Sequence, residues 1–197
     1  MDKEQAKQTL HKNMQNVNLR RHCYAVSFAM GGIYDYLEGN GKLDSNSPDK
    51  ETWEVLGLLH DADYELTKDD WSKHTLMTLN WLKDLGVSDE DPLCLAVKSH
   101  NNKVTKMREV QTQMEWALEC CDELTGFIVA CALVQPDKKL ASVTVESVLK
   151  KWRAPAFARA VDRNQIEQCE KKLGIKLDGF IGIVLKSMQK NTLELGL

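Results

Sequence analysis

Residues 53–61 read WEVLGLLHD, an apolar run of helical period that ends in the adjacent pair His60 and Asp61. Residues three and four apart share one face of a helix, so His60 is expected beside Trp53 and Gly57 on a buried face. Neutral imidazole and carboxylate are both metal ligands, and here no spacer separates them. The stretch therefore predicts a helical fold that carries a candidate metal centre.

The helical pattern continues along the rest of the chain. Only four prolines occur in 197 residues, and no segment alternates between apolar and polar residues as a half-buried strand would. We therefore predict an all-α protein. Candidate helices cover residues 3–15, 19–38, 50–61, 70–85, 92–100, 110–133, 143–152, 164–173 and 177–189.

The length of the chain predicts a single domain spanning residues 1–197. Lys and Arg number 26 against 29 Asp and Glu, so no overall basic field would attract nucleic acid or an anionic membrane. The longest apolar run, residues 127–134, is far shorter than the ~20 residues of a bilayer-spanning helix. The N-terminus is polar where a signal peptide is apolar. We expect a cytoplasmic protein, and the sequence leaves its oligomeric state open.

Further polar residues share apolar helical faces in the same way as His60. These additional candidate ligands are His22, His74, His100 and Asp122. His11 lies instead with Lys7 and Gln8 and is expected at the surface. A lone histidine on an apolar face is more often a core imidazole with one hydrogen bond, and this alternative stays open for each histidine. A buried carboxylate without a partner is costly, which favours a metal beside Asp122.

Cysteine and tryptophan residues fall mainly within the apolar helical stretches. The six cysteines have no C-x-x-C spacing and are predicted to be small core residues: Cys23, Cys94, Cys120, Cys121, Cys131 and Cys169. Trp53, Trp71 and Trp81 are predicted to be core residues as well, because they repeat with the stripe that carries the histidines. The alternative is that one of these tryptophans stacks on a nucleotide base.

The ordered set His22, His60, Asp61 and Asp122 in an all-helical chain resembles the HD-domain superfamily of metal-dependent phosphohydrolases. Residues 122–140 (DELTGFIVACALVQPDKKL) also resemble small members of that superfamily. The resemblance covers roughly the first two thirds of the chain. It implies an HD-domain-like helical bundle with a metal-binding core at about 18–135 and additional C-terminal helices at about 136–197.

The resemblance also implies the metal content. The four residues of the ordered set would hold one divalent ion, which could be iron, manganese, zinc or magnesium. His74 and His100 occupy the places at which members with two additional histidines hold a second ion. Asp61 would then bridge the two ions.

The implied activity is hydrolysis of a nucleotide or another small phosphorylated metabolite. A bound metal would lower the pKa of a water from about 15.7 toward 7. Asp63 and Glu65 are candidate catalytic residues for orientation or proton transfer, with ordinary loop acidity as the alternative.

Basic residues near the end of the chain supply candidates for substrate phosphate binding. They are Lys138, Lys139 and Arg159, with a solvated charged face as the alternative. Two other functions stay open at this stage. One is a di-iron oxygenase, since a few relatives hold mixed-valent iron on the same scaffold. The other is a non-catalytic regulatory protein that binds a metal or a nucleotide.

Overall fold

The computed structural model describes residues 1–197, and 66% of the chain is helical with no strand. The predicted all-α class is therefore confirmed. None of the helices combines the length and the apolar composition that a membrane-spanning segment needs. The helices are α1 (Lys3–Asn13), α2 (Val17–Gly39), α3 (Lys50–Leu59), α4 (Tyr64–Thr67), α5 (Leu76–Asp84), α6 (Pro92–His100), α7 (Asn102–Thr105), α8 (Gln113–Leu133), α9 (Val145–Trp152), α10 (Arg163–Leu173), α11 (Leu177–Gln189) and α12 (Thr192–Leu195), with a 3-10 turn at Leu140–Ser142.

Short polar residues begin the three helices that carry His60, His100 and Asp122. The Asp49 side chain caps α3, and Asp91 caps α6 just before a proline at the first helical position. At the start of α8, Thr112 and Glu115 form a capping box in which each side chain accepts from the backbone of the other. These local signals place the starts of the helices before any tertiary contact is considered.

The helices α2 and α8 lie at the centre of the protein. Helix α3 packs along α2, α10 packs on α8, and α11 packs on α2. Side chains from both ends and from the middle of the chain belong to one buried hydrophobic cluster, for example Leu10, Phe180 and Phe127. Residues 136–197 thus share their core with residues 18–135.

Helices α2 and α3 approach each other most closely at Gly57. A Cβ atom at this position would lie 2.5 Å from the Ser27 Cα and 2.6 Å from the Ser27 backbone nitrogen. Because the obstruction is backbone, no side chain can move aside to relieve it. The glycine therefore lets the end of α3, with His60, lie directly against the helix that carries His22.

The predicted helix at residues 70–85 is wrong in its first part. Helix α5 begins at Leu76, and the residue before it, Thr75, has a positive φ of 75°. Residues 68–75 form turns, so His74 does not share a helical stripe with Trp71. The one-turn helices α4, α7 and α12 are also absent from the sequence prediction, because four residues are too few to show a periodicity.

The prediction that the cysteines are core residues is confirmed, since all six are free and buried. Burial raises the pKa of the Cys121 thiol well above its usual range, so the neighbour of Asp122 stays a protonated core residue. Trp53 is fully buried and Trp81 is half-buried, but Trp71 is 49% exposed. The core prediction is therefore wrong for Trp71.

The packing at Gly57 can be tested with alanine. Gly57→Ala is expected to lower the free energy of unfolding by about 3 kcal/mol, because the added methyl group overlaps the α2 backbone. Gly126→Ala is the matched control, since no atom lies within 4 Å of its added Cβ. This control should raise the free energy of unfolding by up to ~1 kcal/mol through helix propensity. Urea denaturation measures the free energy of unfolding of both variants. A similar effect of the two substitutions would contradict the close approach of α2 and α3 at Gly57.

Candidate metal centre

The six predicted metal ligands come together from five places in the chain. They are His22 in α2, His60 and Asp61 at the end of α3, His74 just before α5, His100 at the end of α6 and Asp122 in the middle of α8. Within each of three overlapping sets, one ligand atom per residue lies within 4.8 Å of the others: His22, His60 and Asp61; His60, His100 and Asp122; Asp61, His74 and His100. This cluster of nitrogen and oxygen donors could hold a metal ion.

The Asp61 carboxylate lies between two pairs of histidines. Its Oδ2 is 3.8 Å from the His22 Nε2 and 3.7 Å from the His60 Nε2. Its Oδ1 is 3.1 Å from the His74 Nε2 and 3.3 Å from the His100 Nε2. Each oxygen of one carboxylate thus faces its own pair of imidazoles.

Asp122 lies closest to the first of these pairs. Its Oδ1 is 2.9 Å from the His22 Nε2 and 3.5 Å from the His60 Nε2. The side chain closes one side of the cluster, where one of its oxygens also lies within 4.8 Å of a His100 nitrogen. Two carboxylates and four imidazoles are arranged as two neighbouring groups that share Asp61.

His60 is the residue whose environment points most directly to a cation. It is fully buried, and its Nδ1 lies 2.8 Å from the Gly57 carbonyl oxygen, which can only accept a hydrogen bond. With the proton on Nδ1, the Nε2 carries a lone pair that faces the cluster and has no hydrogen-bond partner. A buried polar atom without a partner is costly. A metal ion at this position would satisfy it.

Outer contacts fix two more imidazoles in the same way. The His74 Nδ1 is 2.8 Å from the Asp63 Oδ1, and the His100 Nδ1 is 3.3 Å from the Glu119 Oε1. These contacts aim both Nε2 atoms inward at Asp61. A carboxylate or carbonyl behind each histidine is the usual arrangement around metal ligands, since it holds the ring and raises its basicity.

The charged groups of the cluster shift one another's pKa values. Burial lowers the pKa of His22, His74 and His100, but the nearby carboxylates more than offset this, so each pKa lies above its usual value. Burial raises the pKa of Asp61 and Asp122, but the neighbouring histidines hold both well below the usual range. Without a metal, protons on the imidazoles thus balance the two carboxylates.

A cavity of about 210 Å³ opens onto Asp61 and Asp122. The carboxylates of Glu119 and Glu123 also line this cavity. Lys103 is the only lysine or arginine in its lining. The lysine Nζ bonds the Gln165 Oε1 at 2.7 Å, at the edge of the cavity. The cavity is thus strongly acidic.

Aromatic side chains form another part of the cavity wall. Trp71 and Tyr64 make an edge contact, and each makes a further edge contact with the His74 ring. The Asn101 side-chain amide donates to the backbone carbonyls of Trp71 and His74 at 2.9 and 3.2 Å. Asn101 therefore holds the turn that presents both residues to the cavity.

Asp63 lies behind the centre rather than in the cavity. It is fully buried, and its Oδ1 accepts from the Thr75 backbone N–H at 3.1 Å in addition to His74. Its Oδ2 accepts from the backbone N–H groups of Met77 and Thr78, also at 3.1 Å. Of the two predicted roles, orientation of a ligand matches this position, because the carboxylate has no path to a substrate.

The structure does not bring the other predicted residues into the cavity. The Glu65 carboxylate accepts from the backbone N–H groups of Gln15 and Asn16 at 2.6 and 2.9 Å. These two residues belong to the segment that connects α1 to α2. The three basic candidates for phosphate binding are exposed and do not line the cavity: Lys138, Lys139 and Arg159. His11 is exposed as predicted and contacts the Tyr24 hydroxyl.

Sequence reasoning missed Glu119, Glu123 and Lys103 as residues of the cavity. Glu119 lies three positions before Asp122, so the helical spacing that identified Asp122 also places Glu119 nearby. Burial and the Asp122 charge raise the pKa of Glu123. Lys103 lies on the one-turn helix α7, and no periodic signal marks it.

Comparison of the chain with protein-family models, curated proteins and solved structures gave no match.

The position of Asp63 predicts a difference between two acidic residues. Asp63→Asn replaces one carboxylate oxygen by an NH₂ group, which must face two of the four N–H donors that Asp63 accepts from, so His74 is no longer held as before. The affinity for Zn²⁺ or Mn²⁺ should therefore fall by about 10–100-fold. Glu65→Gln is the control and should bind the metal as the wild type does. Calorimetric titration of the metal-free proteins measures both. An equal loss in the two variants would contradict the assigned role of Asp63.

The protonation of the centre predicts how metal and pH act together on stability. Stabilisation from histidines with a raised pKa is complete below about pH 6.5 and is lost as the pH rises through the folded-state pKa. Stabilisation from Asp61 and Asp122 is present above about pH 4 and is lost only in stronger acid. The metal-free protein should therefore be most stable between these values.

Metal binding has the opposite dependence on pH, because imidazole binds a metal only when it is deprotonated. The melting temperature with Zn²⁺ minus that with chelator is thus expected to grow from about pH 6 to pH 8. Thermal unfolding with and without chelator measures this difference. A difference that is equal at pH 5 and pH 8 would rule out histidine ligation.

Proposed function

We propose that this chain is a metal-dependent phosphohydrolase of the HD-domain type that acts on a nucleotide or another small phosphorylated metabolite. The observation that carries the proposal is the buried His60 Nε2, which faces two carboxylates and has no hydrogen-bond partner. A donor set of imidazole and carboxylate suits iron, manganese, zinc or magnesium. The thiols, all buried, contribute nothing to this set.

The histidines form two pairs, and each pair faces a different oxygen of Asp61, which favours two ions. His22, His60 and Asp122 would hold the first ion together with one Asp61 oxygen. His74 and His100 would hold the second with the other oxygen. When bound, such ions lower the pKa of a water and polarise a phosphate oxygen.

The charge of the cavity supports metal dependence. Asp61, Asp122, Glu119 and Glu123 face the same space as a single lysine, Lys103. Once the imidazoles lose their protons, a phosphate that enters such a space is repelled unless divalent cations offset the carboxylates. Lys103 adds one positive charge from the chain itself, and it lines this cavity, whereas the basic residues predicted from sequence do not.

The protein's own residues hold the ligands in position for this chemistry. Asp63 orients His74, and Glu119 orients His100. Glu119 is itself held by the Gln165 side-chain amide, which donates to its Oε2 at 3.0 Å. The His100 ring is thus held by a chain of hydrogen bonds through residues of α8 and α10, and the His74 ring by Asp63.

The proposal predicts phosphate release that depends on the centre. Purified protein should contain about two metal ions per chain. With that metal restored, it should release phosphate from at least one member of a panel of nucleoside monophosphates, nucleoside triphosphates, cyclic nucleotides and dinucleoside polyphosphates. Asp61→Ala should lose the metal and lower activity by more than the roughly 100-fold seen when an outer partner is removed. His74→Ala should keep about one ion.

His11→Ala is the control, because its ring lies at the surface and should leave metal content and activity unchanged. Full metal content in Asp61→Ala would contradict the ligand assignment. Iron with an EPR signal and no phosphate release would instead favour the di-iron oxygenase. The same Asp61 bridge between two imidazole pairs would suit that chemistry.

A further inference from the structure

A second and larger cavity adjoins the metal centre. This α2–α8 cleft is lined by His22 on α2 and by Thr125 and Gly126 on α8, one turn beyond Asp122. The His22 Nε2 and the Asp122 Oδ1 are 2.9 Å apart, and Asp122 lines the cavity of the metal centre. The two spaces therefore lie on either side of this pair of side chains.

The volumes of the two spaces differ in a way that matters for a substrate. The cavity at the metal centre measures about 210 Å³ and the cleft about 470 Å³. Small-molecule sites usually occupy roughly 300–1,000 Å³. Ions and one phosphate would use most of the smaller space, so the rest of a substrate needs room outside it. The cleft supplies this room.

The cleft combines an apolar floor with one free cation. Ala25, Val129 and Leu133 line it, and Leu133 is 52% exposed. Arg20 is bonded to the Met14 carbonyl, whereas the Arg21 guanidinium, which lines the cleft, has no hydrogen bond or ion pair with the chain.

The Arg21 guanidinium lies beside the backbone of Gly196, at the end of the chain that closes the cleft. An unpaired guanidinium is suited to bind an anionic group, because its fork of N–H donors remains free.

Gly126 lines the cleft at a position where the stability of the fold alone would favour a residue with a side chain. It lies inside the 21-residue helix α8, and no atom lies within 4 Å of a Cβ added to it. Glycine inside a helix is less stable than alanine, so the fold alone would favour a larger residue. A side chain here would enter the cleft beside His22. The glycine keeps that space free.

We propose that the α2–α8 cleft binds the organic part of the phosphorylated substrate, an apolar or aromatic group whose second anionic group pairs with Arg21. The inference rests on the proposed function, which places the reacting phosphate at the metal centre on the other side of the His22–Asp122 pair. The expected substrate class is thus a phosphate ester with a large organic group and a further negative charge.

Binding of a fluorescent probe tests the cleft without activity or metal. The probe is 1-anilinonaphthalene-8-sulfonate, which has aromatic rings and one sulfonate. The metal-free protein should bind one molecule per chain, and Gly126→Leu should weaken binding by about tenfold or more, a change of at least ~1.4 kcal/mol. Arg21→Gln should also weaken binding, since the sulfonate loses its cation.

Gly179→Leu is the matched control. Gly179 is an exposed helical glycine in α11, and its added Cβ would meet only the Ile175 Cγ2 at 3.8 Å. This variant should bind the probe as the wild type does. Melting temperatures of all variants verify that the fold is intact. Equal probe binding by Gly126→Leu and Gly179→Leu overturns the proposal, even if the protein is an active hydrolase.

Kinetics on the best substrate of the panel provide a second test. Gly126→Leu should raise KM by about tenfold or more with metal content unchanged. A KM that responds to Trp71→Leu and not to Gly126→Leu overturns the proposal and places the organic group at the aromatic wall. Loss of probe binding in Gly126→Leu supports the cleft even if no substrate releases phosphate, in which case only the proposed function fails.

Discussion

Two half-buried carboxylates, Asp61 and Asp122, impose the main constraint on this protein. Each is partly removed from water and needs positive charge or hydrogen-bond donors nearby. Four histidines from separate helices and turns surround them, and each brings its own segment of chain to the centre. The path of the chain from α2 to α8 therefore determines which groups surround the two carboxylates.

Holding those imidazoles in place requires contacts at some distance from the centre. Gly57 allows α3 to touch the α2 backbone, and its carbonyl also fixes the His60 ring. Asp63 acts in a similar double way, since one carboxylate orients His74 and also accepts from the backbone at the start of α5. Residues that determine the local fold thus also determine where the ligand atoms point. A change that weakens either contact is expected to alter both the stability of the fold and the positions of the histidine nitrogens.

The space around the centre divides into two chemically distinct parts. The small acidic cavity contains the carboxylates and Lys103, whereas the larger α2–α8 cleft has an apolar floor and the unpaired Arg21. Such a division suits a molecule with a charged reacting group and a bulkier organic remainder.

The sequence alone determined the all-α class and the buried cysteines, and it predicted six candidate metal ligands, which the structure brings together. Helical periodicity is a local property, and it reports which face of a helix is buried. It does not report which turns form or which buried faces meet. Asp63, through hydrogen bonds to residues eleven to fifteen positions away, sets the turn that carries His74 and exposes Trp71. The places of Glu65, Lys103 and Arg21 likewise follow from contacts between distant segments, so only the tertiary structure could decide them.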